Sequence, residues 1–192
     1  MRIEGDIYFN PNTKWSKINT DQIDDLINQY HERIKGYYLF PVHQLFSNCD
    51  HIHCNGFAAG VLLLSAIDAV GTFQTKRNGF KNKFIEFIKN DDVFINLEEP
   101  EKKRISEFMS DEFRNGLIHN GRIKNACEFS FESQNLFYLT ERTLVVNPIE
   151  LFQCVQRNSS KFFDELKTDE AGKKLFRDEF VRLYRKELKD FK

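Results

Sequence analysis

Apolar residues first recur at helical spacing after about residue 20. Ile23, Leu26, Ile27, Tyr30 and Ile34 return every three or four positions, which predicts an amphipathic helix with one buried stripe. Thr20 can cap this helix, Asp21 lies in its first turn, and Pro41 should end or kink it. Residues 1–19 carry Gly5, Pro11 and several Asn without a period, and read as an irregular N-terminal segment. After a polar break at 47–55, residues 56 to about 73 are apolar on nearly every face, the pattern of a central bundle helix. Its polar exceptions, Ser65, Asp68 and Thr72, share one narrow face. A carboxylate placed there needs a partner.

Phe80, Phe84, Phe87 and Ile88 predict a shorter helix that ends near 90–92. Pro100, with Glu98, Glu99 and Glu101, marks the start of the next, whose buried side is Ile105, Phe108, Met109, Phe113 and Leu117. Beyond Gly121 the period falls to two. Cys127, Phe129 and Phe131 alternate with Glu128, Ser130 and Glu132, and further strands are expected at 136–140 and 143–146. A small antiparallel β-meander over 126–146 follows from this. Asn147-Pro148 opens a helix carrying Phe152, Val155, Phe162, Phe163 and Leu166, and Gly172 separates a last helix running to about Phe191. No repeat or flexible linker divides the chain. The expectation is one mainly α domain over 1–192: a helical core at 20–122, the meander, and C-terminal helices at 147–191.

The formal net charge is −1, which excludes a broad cationic surface that would hold nucleic acid by counterion release. Any RNA contact must be local. The basic clusters at 102–104 and 182–189 are interleaved with acids and read as solvated helix faces. The twenty Phe fall largely at helical spacing and read as core. Four cysteines at irregular spacing, behind an N-terminus without an apolar leader, argue against a disulfide framework and for the reducing cytoplasm. The apolar run at 57–70 contains Ser65 and Asp68 and is shorter than the ~20 residues of a membrane span. A buried helix, with no membrane contact, is expected.

The candidate chemistry lies in Arg114-Asn115-Gly116-Leu117-Ile118-His119. This string resembles the R-x4-6-H motif of the HEPN superfamily, helical domains in which a polar residue commonly follows the Arg near the end of a bundle helix. The resemblance covers the helical core from Thr20 to His119; the strands and C-terminal helices lie outside the minimal pattern. It implies a metal-independent endoribonuclease, a homodimer, and a role as a toxin or antiphage effector with an antitoxin or defence partner protein. It also admits a non-catalytic interaction module or an RNA- or nucleotide-binding regulator.

The residue types suit RNA cleavage in their own right. RNA carries its own nucleophile, the 2′-hydroxyl, so an enzyme must move protons and stabilise charge on the phosphoryl oxygens. His119 is a suitable base or acid, and Arg114 presents a planar fork of donors to phosphate. No cofactor or metal is needed for this chemistry. On an ideal helix Arg114 and His119 stand about 140° apart, whereas Asn115 and His119 are i,i+4 on one face. One chain then supplies half a site, and a dimer completes it. Gly116 would let a partner helix or phosphate approach, and Gly121 should end the helix. Arg122 would add a cation if the helix persisted, and is otherwise a solvent-exposed residue. Asp68 has two readings, a carboxylate supporting Arg114 or His119 and a structural ion pair. His43, Cys49, His51, His53 and Cys54 are metal-competent side chains without a zinc knuckle's spacing, and read as a polar loop. Walker, G-x-S-x-G, H-E-x-x-H and dinucleotide motifs are missing from the sequence.

Overall fold

The apolar run near the middle of the chain is a 23-residue helix, α3 (Ile52–Gln74), in a computed structural model that describes residues 2–3, 6–47, 52–125 and 127–191. The described chain is mainly α and divides into two compact units where one domain was expected, Tyr38–Asn158 and Met1–Tyr37 with Ser159–Lys192.

In the first of these units, α2 (Phe40–Ser47), α4 (Phe80–Ile88) and α7 (Asn115–Asn120) pack against α3. Ala59, Leu63, Leu64, Ala66, Ile67 and Val70 of α3 are buried. Asn55–Gln74 is longer than the run read from sequence and would suit a membrane span by length and composition; half of it is buried inside the protein, as in a core helix. The short helix α5 (Asp92–Ile95) is capped by Asp91. A capping box formed by Glu98 and Glu101 starts α6 (Glu99–Phe108), which satisfies two backbone donors at the helix end.

The single helix expected to run from 98 to 119 is interrupted by a π turn, Met109–Arg114, in which the Asn115 N–H reaches back five residues to the Ser110 carbonyl. The hydrophobic spacing supplies a cause. Ile105, Met109, Phe113 and Leu117 are each four apart and all buried. At ~100° per residue such a series drifts by about 120° over three steps, and a turn with more residues per revolution cancels that drift.

At the far end of α7, Gly121 has φ +63, a conformation that costs glycine little. The chain then doubles back, and the Arg122 N–H bonds to the Gly116 carbonyl at 3.2 Å. Three strands follow where strands were expected: β4 (Glu128–Phe129), β5 (Phe137–Leu139) and β6 (Leu144–Val146). β5 and β6 form the expected antiparallel pair, but β4 joins the outer side of β6 in parallel, so the sheet is mixed rather than a meander. Alternation locates short strands; it does not say which edge a two-residue strand will take. Asn147 Oδ1 caps α8 (Pro148–Leu166) by accepting from the Ile149 and Glu150 amides.

In the other unit, α1 (Ile23–Ile34) starts after Gln22 rather than at Thr20. The N-terminal segment is not irregular. It forms β1 (Arg2–Ile3), β2 (Asp6–Asn10) and β3 (Thr13–Lys14), a three-stranded antiparallel sheet. These strands are too short to show a period. They are ordered by aromatic burial: Phe9 is fully buried, its ring centroid 4.8 Å from Trp15 and 5.6 Å from Phe180. Phe180 lies on α9 (Glu170–Leu183), and α10 (Arg185–Asp190) follows. Gly172 is inside α9, so the helix break falls before it. Lys173 ties α9 to α1 through Asp24 at 2.9 Å. After α1 the winding changes to a π turn, Lys35–Leu39, just ahead of Pro41, where the missing proline N–H favours a kink.

Candidate functional site

Arg114 sits at the joint between the π turn and α7. Its Nη1 donates to Asn115 Oδ1 at 3.1 Å and lies 3.4 Å from His119 Nε2. Its Nη2 donates to Asp68 Oδ2 on α3 at 3.4 Å. The second Asp68 oxygen, Oδ1, accepts from Lys83 Nζ on α4 at 2.5 Å. Beneath the guanidinium, the Phe80 ring centroid is 6.0 Å from Cζ, within cation–π range.

Arg114 and His119 therefore meet within one chain, and the expected separation around the helix is corrected. That expectation treats side chains as short radial vectors. Helical side chains lean toward the N-terminus of their helix, so His119 reaches back over the turn that begins at Asn115. The long Arg114 arm covers the remaining angle.

Asp68 is both things its sequence context suggested, an ion pair and a support for Arg114. The Arg114, Asp68 and Lys83 side chains are each about a quarter exposed, at 26%, 28% and 21%, while His119 is exposed at the helix end. One carboxylate is shared by two cations, which leaves the cluster with an excess positive charge. Arg114 Nε is buried without a hydrogen-bond partner among the described residues, so the guanidinium keeps unused donor capacity. A guanidinium offers donors only. Its contact with His119 Nε2 is thus a hydrogen bond when that nitrogen is bare, in the neutral imidazole with its proton on Nδ1. This is the form that accepts a proton.

Asn115 turns its carbonyl oxygen to Arg114 and so orients the guanidinium. Gly116 is covered by its own chain, not left open to a partner or a phosphate: a Cβ there would lie 2.4 Å from the Arg122 carbonyl oxygen. Arg122 follows the helix end, is exposed, and has no side-chain partner among the described residues. Lys83 and Phe80 belong to the cluster and were missed. Phe80 reads from sequence as core alone, and Lys83, three residues on, shows its role only once α4 lies against α3. Of the metal-competent group, His43 is exposed on α2; Cys49, His51 and the side chains of His53 and Cys54 lie outside the described residues. Comparison with family models, with curated proteins and with solved structures finds no match for the chain.

Proposed function

We propose that this chain is a HEPN-type endoribonuclease that cleaves RNA by 2′-hydroxyl attack on the adjacent phosphate. The observation that carries the reading is the 3.4 Å approach of Arg114 to an exposed His119, with Asp68 and Asn115 gripping the guanidinium. In the reaction the O2′–P bond forms and the P–O5′ bond breaks. As Arg114 turns from His119 to the phosphate, His119 Nε2 takes the 2′-hydroxyl proton, and the resulting imidazolium returns it to the leaving 5′-oxygen. Arg114 binds the phosphoryl oxygens, where charge builds up. The products are a 2′,3′-cyclic phosphate and a 5′-hydroxyl.

A homodimer would set two such clusters side by side; in this geometry it organises substrate rather than completing a missing half of the site. A toxin or defence role requires that cleavage harm its host or an invader. The decisive experiment incubates purified protein with single-stranded RNA in the presence of chelator and analyses the ends. Wild type should leave cyclic phosphates, and His119→Ala and Arg114→Ala should not. If wild type and both variants leave RNA equally intact, the domain is the non-catalytic interaction or regulatory module. Arrest of growth on overexpression of wild type, absent with His119→Ala, would support the effector role.

A further inference from the structure

A second feature of the Tyr38–Asn158 unit carries charge that the cleavage cluster does not use. Between α4, α5 and α6 lies a cavity of about 250 Å³. Four lysines, Lys81, Lys89, Lys102 and Lys103, line it against a single carboxylate, Glu99. On a chain of net charge −1 this is a local concentration of cations. Ile85 and Phe94 give the cavity an apolar floor.

The lysines' other commitments are weak and leave donors free. Lys81 pairs with Glu107 at 2.7 Å, Lys102 with Glu99 at 2.8 Å and Lys89 with Glu86, all through part-exposed side chains, and such pairs are weak and exchangeable. Each ammonium has three donors and spends one in its pair. Lys103 has no side-chain partner among the described residues and is exposed. Arg104, by contrast, is consumed by the Thr140 and Glu141 carbonyls at 2.6 and 2.7 Å. The run at 102–104 is thus split between a structural arginine and two lysines directed to the cavity.

The position of the cavity is as informative as its lining. Phe80 and Lys83 of α4 meet Arg114 and Asp68, while Lys81, Ile85 and Lys89, spaced by four, turn another side of the same segment to the cavity. Cleavage cluster and cavity are therefore about one helix diameter apart, on the order of 10 Å with side chains. A few nucleotides of single strand bridge that distance. The cavity is smaller than the ~300–1,000 Å³ of sites for drug-sized ligands, and suits one nucleotide unit.

We propose that this lysine-lined cavity is a subsite for single-stranded RNA. It holds a nucleotide flanking the cleaved bond, with phosphates on Lys81, Lys102 and Lys103 and the base over Ile85 and Phe94. The choice of RNA as ligand rests on the ribonuclease reading; the anionic, part-apolar character of the ligand does not.

The test measures binding without cleavage. Full-length wild type is titrated with fluorescent 2′-O-methyl RNA, which lacks the nucleophile, from 50 to 200 mM salt. The comparison is with Lys81→Ala/Lys102→Ala/Lys103→Ala. Three lost phosphate contacts should reduce the slope of log affinity against log salt by about 2 for a single strand, so that raising the salt costs wild type roughly 20-fold more affinity than the variant. The control Lys161→Ala/Lys174→Ala/Lys186→Ala, exposed residues of the other unit, should keep the wild-type slope. The proposal is overturned if wild type does not bind, if the cavity variant keeps the wild-type slope, or if the control loses as much. Unmodified RNA left intact alongside the expected slope change would remove the nuclease reading and leave the subsite standing.

Discussion

At the scale of the residue, Asp68 separates positioning from chemistry. It reaches Arg114 from one oxygen and Lys83 from the other, and it contacts no reacting atom. Asp68→Asn should lower the cleavage rate by up to about 100-fold through a misplaced guanidinium, while unfolding free energy in urea changes by less than about 1 kcal/mol because the pair is part-exposed. Arg114→Lys should be worse. A point charge on a flexible arm cannot hold Asp68, Asn115 and His119 together, and kcat should fall by roughly 100-fold or more, as when one transition-state donor is removed. Gly116→Ala should act on the fold instead. Its Cβ would press on the Arg122 carbonyl at 2.4 Å, an overpacking that costs about 1–3 kcal/mol and is measurable in the same urea series. The residues themselves were legible: Arg114, Asn115, His119 and Asp68 all stand in the cluster. Lys83 and Phe80 were not, because their part in it depends on how α4 lies against α3, which no local spacing records.

At the scale of the element, the starts of α6 and α8, marked by side-chain chemistry, were legible. Thr20 and Gly172, by contrast, mark no helix end, and the change of winding after α6 carries no such mark. Asn147-Pro148 starts α8 and Glu98 with Glu101 starts α6, since a cap is a local bond between near neighbours. The π turn at Met109–Arg114 was hidden. Its trace is the strict four-residue spacing from Ile105 to Leu117, which a reading based on an ideal helix absorbs without notice. Packing also gives one buried carboxylate an element-scale role. Asp91, 5% exposed, accepts from the Val93 amide at 3.2 Å, from Asn158 Nδ2 at 3.0 Å and from Arg157 Nη2 at 3.1 Å. It thereby caps α5 and fastens α8. Asp91→Ala removes a cap and one of the partners of the buried Asn158 amide, which keeps its bond to the Cys154 carbonyl at 3.0 Å, an expected loss of about 1–3 kcal/mol. Asp91→Asn should recover part of it, because the cap oxygen remains. Thermal unfolding of the two variants would show that order.

At the scale of the whole molecule, the chain's two ends share one compact unit, an arrangement invisible to any window of sequence because Phe9 meets Phe180 across most of the chain's length. The same unit holds a titratable group that the candidate site does not involve. His31 is 7% exposed, its ring is stacked on Phe163 with centroids 4.5 Å apart, and its Nε2 has no hydrogen-bond partner among the described residues. Burial pushes its pKa down from 6.5 to about 4, helped by the Lys35 cation, opposed by Glu32, with smaller effects of Lys167 downward and Asp164 upward. The unfolded imidazole takes up its proton first as pH falls. The stability His31 confers is therefore complete above about pH 6.5 and drains away between 6.5 and 4. The full span is worth about 3 kcal/mol, of which about 2 kcal/mol is gone by pH 4.5. Trp15, the sole tryptophan and buried in this unit, reports the transition by fluorescence. Carboxylates elsewhere also titrate at low pH, so the informative quantity is the difference between wild type and His31→Phe, which keeps the stacked ring and removes the proton. The two should converge as pH falls if the phenyl ring packs less well at neutral pH, or the variant should overtake wild type if it packs equally well; in either case wild type must lose about 2 kcal/mol more between pH 7 and 4.5. Parallel pH profiles would mean that His31 becomes charged in place, and that the unit opens around it without unfolding.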